Sequence, residues 1–456
     1  MAGELPSAST LEGVRFTAQV LMPTLVRGLF RPRRRATRVA TALNVDGHAI
    51  GLIGDLRRRH GPGPFWVRAG GDQALLLTSV DDVRRVLEGS PEPFAPDPEA
   101  KRRGMQHFQP TAVTISRDGA WRERRRFNEA VLDTGKPAHR LARRFATVIA
   151  QEATALIAEI ETDGDGYLDW DAFNLCVRRI ALRAVLGDDA RDDGRVFELL
   201  SKLMEEANGL PKERSEHYEP FRRRLEGYVG EPEPESLVGL FAGAPVGPDT
   251  DPAGQVSHWL FACGDTLAIN AYRALALITT HPEQRARVIA EANDAETTEA
   301  DDVGTSLTAA GIAGLEHLEA CVQDAMRLYP TTPMLSRETE GDVRWNGAVI
   351  PARTQLLISN TFNHRDPERV ELADRFAPEQ WLEGGAARDW TFNHFSHGPQ
   401  GCPGTGIALF VAKGLLARLV TERRLDLTSG PDLDPSEVLP AMLDFFALRF
   451  AAEPLP

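Results

Sequence analysis

The stretch Phe395-Ser396-His397-Gly398-Pro399-Gln400-Gly401-Cys402-Pro403-Gly404 places one cysteine on a glycine-punctuated loop, just ahead of a predicted helix over 403–422. Pro403 suits the first helical position, where its missing N–H would have no partner anyway. Gly398, Gly401 and Gly404 permit positive φ and the close approach of something flat and bulky. The positive end of a helix and free backbone N–H groups favour a thiolate over a thiol. A thiolate in that setting is a nucleophile, a redox centre or a metal ligand, whereas a lone cysteine elsewhere is commonly a buried packing residue.

Working outward, the chain of 456 residues carries 42% hydrophobic and 26% charged residues, an ordinary balance for a globular protein with a large core. Its four cysteines (Cys176, Cys263, Cys321 and Cys402) lie far apart with no CxxC pair. That argues against a disulfide scaffold or a structural zinc site and fits a reducing, cytoplasmic compartment. The net charge of −14 makes nucleic acid an unsuitable partner. All but five of the 52 basic residues are arginine, a compositional bias with no functional content. The most apolar N-terminal run, 16–26, is 11 residues long and contains Pro23, against the ~20 residues that a membrane span requires. Glu4 and Glu12 stand where a secretory leader would be basic.

Residues 1–45 read as an irregular N-terminal extension, with Arg31–Arg38 as a solvated basic linker, and 46–456 as one large mixed domain. A short helix over 50–59 ends at the breaker cluster 60–64, and two strands follow at 65–68 and 74–77. Helical patterns dominate 121–240. Long helices are expected at 255–280 and 309–328, and short strands over 334–358. The fold class is therefore mostly α with a smaller β-rich portion. Within the 255–280 helix, Asp265-Thr266 puts an acid and a hydroxyl in apolar surroundings. Such a pair is costly without partners, and the threonine can bend a helix by bonding back to its carbonyls. Asp324 and Arg327 share a helix face at a spacing of three, a pair that is normally solvated and weak.

The spacing F-x-x-G-x-x-x-C-x-G of Phe395, Gly398, Cys402 and Gly404 resembles the haem-binding loop of the cytochrome P450 family. The other landmarks stand in family order. Trp121-x-x-x-Arg125, Ala262-Cys263-Gly264-Asp265-Thr266, Asp324-x-x-Arg327, Arg337 and Pro378-Glu379-Gln380-Trp381 all precede the cysteine. Four positions depart from the pattern: Cys263 for glycine, Asp324 for glutamate, and Gln380 and Gln400 for basic residues. Arg375 is a candidate to compensate for Gln380.

The resemblance, closest to soluble bacterial members, covers about 46–450 and implies the cytochrome P450 fold. It further implies haem b with its iron on Cys402, and Trp121, Arg125, Arg337 and His107 as donors to the haem propionates. Asp265 and Thr266 would manage protons in an O2-dependent monooxygenation, and substrate walls would come from 98–113, 200–225 and 258–266. The substrate would be a small lipid-like molecule or a secondary metabolite. No G-x-G-x-x-G follows a strand, so electrons would come from a separate ferredoxin-type donor and reductase, docking near Arg122–Arg126. Rival readings are a peroxide-using or non-oxygenating haem-thiolate enzyme, a non-catalytic haem protein, and a haem-free enzyme with Cys402 as nucleophile. The run Glu161–Asp169 mimics a calcium loop, but Ala172 stands where a bidentate glutamate is needed, so it reads as an acidic turn before a strand.

Overall fold

The computed structural model describes residues 4–162, 166–211, 213–296 and 307–455. Helices dominate, as the apolar periodicity predicts. A main body of helices packs around the buried Leu267–Thr280 and Thr405–Glu422 helices, and Gly414 of the latter lets Ile149 and Ile312 approach closely. To one side lies a five-stranded sheet. Its order is Phe65–Ala69, Asp72–Leu77, Gln355–Ser359, Met334–Thr339, Phe94–Ala95, and only the second and third strands run parallel. The expected strands at 65–68, 74–77 and 334–358 are all present. The acidic turn expected at 163–165 lies outside the described residues, but the strand after it, Tyr167–Asp169, forms.

The N-terminal segment departs from the expected irregular extension. Ser9 caps a helix at Thr10–Phe16 through a reciprocal capping box with Glu12. A π-turn and two further helices, Met22–Arg27 and Arg34–Ala42, follow. Phe16 is fully buried against Leu52, Ile53 and Phe65. The basic stretch is not merely solvated: Arg33 pairs with Glu205 and Arg34 with Asp171, each at 2.7 Å. Short helices joined at Pro23 and Gly28 carry too few turns for a periodic signal, so their packing is decided by the partner surface.

Two other helices are interrupted. The one expected at 309–328 divides into Ala309–Ala313 and Glu316–Leu328 around Gly314. The central one runs from Pro252 to Phe261, widens into a π-turn over Ala262–Thr266, and continues over Leu267–Thr280. A π-turn leaves a backbone carbonyl out of the regular ladder. Here Asn174 Nδ2 donates to the Gly264 carbonyl at 3.3 Å.

The Asp324–Arg327 pair is fully buried, not solvated. Arg327 Nε donates to Asp324 Oδ1 at 2.6 Å, and its Nη atoms donate to the carbonyls of His364, Leu372, Ala373 and Arg375. Asp324 also accepts from Ala377 N–H at 2.8 Å, Gln380 Nε2 at 2.7 Å and Trp381 Nε1 at 3.0 Å. Gln380 thus serves the network itself. The Arg375 side chain is turned outward to the Pro435 and Ser436 carbonyls, so only its backbone contributes. The network reaches the cysteine loop through His364, whose Nδ1–H donates to the Arg327 carbonyl at 3.1 Å. His364 Nε2 in turn accepts the Asn393 N–H at 3.2 Å, and burial holds this imidazole neutral, well below its ordinary pKa.

Replacing Arg327 by Met leaves a buried carboxylate without its cation. The expected loss is about 3–5 kcal/mol in denaturant unfolding, while Arg375→Ala changes stability by less than about 0.5 kcal/mol. Equal effects would place the supporting charge at Arg375 instead.

Candidate active site

Cys402 sits in a loop closed by the backbone. Its N–H donates to the Phe395 carbonyl at 2.8 Å, and Gly401 N–H donates to the Gly398 carbonyl at 2.9 Å. Gly398 has φ +67°, and a Cβ there would collide with the Leu87 carbonyl, so glycine is required. Gly401 and Gly404 have ordinary negative φ, so only Gly398 of the three uses the freedom that glycine permits. A Cβ at 404 would lie 4.0 Å from the Cys402 sulfur, an ordinary contact. The helix begins at Thr405 rather than at Pro403, whose carbonyl instead accepts from Thr134 Oγ1 at 2.7 Å. Phe395 packs half-buried against the main helical core.

Burial pushes the Cys402 thiol up from its ordinary value, while the Gly404 N–H and the Arg125 guanidinium act in the opposite direction. Arg125, one turn after Trp121 on the Asp118–Val131 helix, donates through Nη1 to the Gly401 carbonyl and through Nε to Glu129. Cys402 is half-buried as a residue, as are Phe261, Ala262, Cys263, Asp265 and Thr266 on the central helix. Cys263 is pushed up to about 12, first by burial and then by the charge of Cys402.

Several buried donors find no anion among the described residues. Arg337 is buried and, among the described residues, bonds only the Ser90 hydroxyl and the Ser336 carbonyl, each at 2.9 Å. Burial pulls it down to about 10. Lys101, which the motif reading passed over, donates to the Pro96 carbonyl at 2.8 Å and to the Thr114 carbonyl and hydroxyl at 3.0 Å. Burial, then the charge of Arg337, pulls it down to about 7. Trp121 Nε1 and Gln400 Nε2 are buried with no partner among the described residues. Two buried cations and two orphaned donors are unfavourable unless an anion joins them. His107 does not belong to this set through its Nε2, which lies 2.7 Å from Glu206.

On the opposite wall, Asp265 accepts from Arg178 Nε at 2.9 Å and from Asn174 Nδ2 at 3.3 Å. The i, i+4 pair Asn174 and Arg178 lies on the mostly apolar Trp170–Leu186 helix, a polar interruption that was the only trace of its role in the sequence. The Thr266 hydroxyl makes no bond back to the helix among the described residues, so the π-turn, not a threonine bond, distorts this helix. No group of three or more His, Cys, Asp or Glu side chains stands together among the described residues. A metal on Cys402 would therefore have to bring its other ligands with it.

Residues 248–444 match the family model described as cytochrome P450. That stretch is similar to the cytochrome P450 family. Among curated proteins it is 30% identical over 183 residues to "Cytochrome P450 4c3" of Drosophila melanogaster, covering 38% of this chain and 34% of that protein. It is 29% identical over 189 residues to "Probable cytochrome P450 4d20" of the same organism, covering 41% and 36%. The matched stretch thus spans about a third of the length of these relatives. Members of the family bind haem through an axial cysteine thiolate. The donor set fits that group: the Cys402 sulfur for the iron, and Arg337, Trp121, Gln400 and the neighbouring Lys101 charge for two carboxylates.

Gly398→Ala is expected to cost more than about 1 kcal/mol of unfolding stability and to lower the haem retained per protein. Unchanged stability and cofactor content would show that the loop tolerates a side chain there.

Proposed function

We propose that this protein is a haem-thiolate monooxygenase that inserts one oxygen atom of O2 into a C–H or C=C bond of a small, largely apolar substrate. The observation that carries this reading is a half-buried Cys402 on its glycine loop beside Cys263 of the central helix, together with buried donors that meet no anion among the described residues and the Asp265–Thr266 pair at the π-turn. Bound haem supplies the oxidising chemistry, because a thiolate ligand pushes electron density onto iron and favours O–O cleavage. The chain's own part is to hold, exclude and deliver. Arg337, Trp121 and Gln400 hold the propionates, with Lys101 adding its charge. The Gly398 turn and the Phe395 carbonyl fix the sulfur's backbone. Thr266 presents a hydroxyl that is not tied to its helix, and Asp265, held by Arg178 and Asn174, stands beside it to pass protons inward.

Electrons are supplied by a separate ferredoxin-type donor with its reductase. Arg122 and Arg126 are exposed on the helix that carries Trp121 and Arg125, a cationic face suited to an acidic carrier. The reading extends to a soluble, bacterial-type, cytoplasmic enzyme acting on a lipid-like molecule or a secondary metabolite. Four free cysteines support it, and so does the finding that no described helix is long and apolar enough to cross a membrane.

Cys402→Ala is expected to abolish the thiolate-type spectrum of the reduced, carbon-monoxide-bound protein, and an unchanged spectrum would sink the assignment. Thr266→Ala is expected to keep that spectrum while reductant consumption with ferredoxin, reductase and NADPH runs uncoupled from product. Tight coupling in this variant, or turnover with hydrogen peroxide alone in the parent, would count against the O2 route.

A further inference from the structure

His258 lies in the last turn of the Pro252–Phe261 helix, eight residues before Thr266. Its Nδ1 is 2.9 Å from Gln109 Oε1. An amide oxygen only accepts, so Nδ1 carries the proton and Nε2 is left with a lone pair. Nε2 has no protein partner among the described residues. Gln109 is fully buried, and its Nε2 is likewise without a partner. Burial, reinforced by the charge of Lys101, pulls the imidazole down to about 4, so it is neutral at physiological pH. Lys101 is not free to take an anion here, because its three N–H bonds are spent on Pro96 and Thr114. The rest of the neighbourhood is apolar. The Phe261 ring is 6.1 Å from His258 and 5.4 Å from Phe108, and Phe261 packs with Met105, Ala112 and Ile115.

We infer that His258, positioned by Gln109, is the polar anchor of the substrate space and recognises a hydroxyl or N–H group on an otherwise apolar molecule. The inference rests on the haem-thiolate reading, which makes the space beside Thr266 the place of oxidation. Eight residues of helix put the anchor roughly 12 Å from Thr266 along the axis. The substrate is therefore elongated, with its donor group remote from the oxidised carbon. A neutral acceptor selects an alcohol or amide over an ether of the same length, since the ether has no O–H or N–H to donate and leaves the imidazole Nε2 unpaired.

The test uses haem-loaded protein, isothermal calorimetry and three probes: dodecan-1-ol, its methyl ether and dodecane. The parent is expected to bind the alcohol about tenfold more tightly than the ether, the effect of one buried hydrogen bond. His258→Phe should erase this preference and leave ether affinity within about twofold. Gln109→Leu, which frees the imidazole to turn, should weaken the preference without touching the cofactor spectrum. A parent protein with a thiolate-type spectrum and no alcohol preference, or a preference that survives in His258→Phe, overturns the inference alone. A protein that takes up no haem overturns it together with the functional reading.

Discussion

The buried pair of Asp324 and Arg327 is the interaction on which the site depends. Neither side chain has any exposure. A buried ion pair is stable only if its remaining donors and acceptors are satisfied. Arg327 meets that demand with backbone carbonyls from 364–375, and Asp324 meets it with donors from 377–381. The pair thereby fixes a long irregular segment that has little regular structure of its own. His364 carries the constraint to Asn393, two residues before the loop that presents Cys402.

The opposite wall is organised by a defect. The central helix widens at Ala262–Thr266, and a neighbouring helix takes up what the widening releases. Asn174 meets the Gly264 carbonyl, and Arg178 meets the Asp265 carboxylate. Gly264 is needed at this crossing because a side chain there would strike the ring of Phe197. The acid–hydroxyl pair is thus aimed by packing from outside its own helix. Among the described residues, Arg337 and Lys101 hydrogen-bond to neutral acceptors alone. Their charge is costly to bury alone, and a dianionic cofactor bound there would resolve the cost.

Much of this was legible in the sequence because it is local. The glycine spacing around Cys402, the acid beside Thr266, the i, i+4 placement of Trp121 and Arg125, and the strand bearing Arg337 are short-range patterns. Their geometry follows from helix and turn rules. The strands at 65–77 and 334–358 followed from breaker clusters and alternation. The sequence also marked Gln380 and Gln400 as departures. It could not show that Gln380 reaches Asp324, because that contact joins segments more than fifty residues apart.

What the sequence determined by itself is therefore the fold class and the local patterns that hold the candidate sulfur, acid and hydroxyl. Tertiary structure decided the partners. It gave His107 to Glu206, turned Arg375 outward, brought Lys101 beside Arg337, and set Asn174 and Arg178 against a π-turn. It also converted 1–45 from an apparent extension into helices that bury Phe16. The physical reason is common to all of these. Backbone conformation is set by neighbours in sequence, whereas the cost of burying a charge or an apolar face is met by whichever groups the fold brings within a few ångströms.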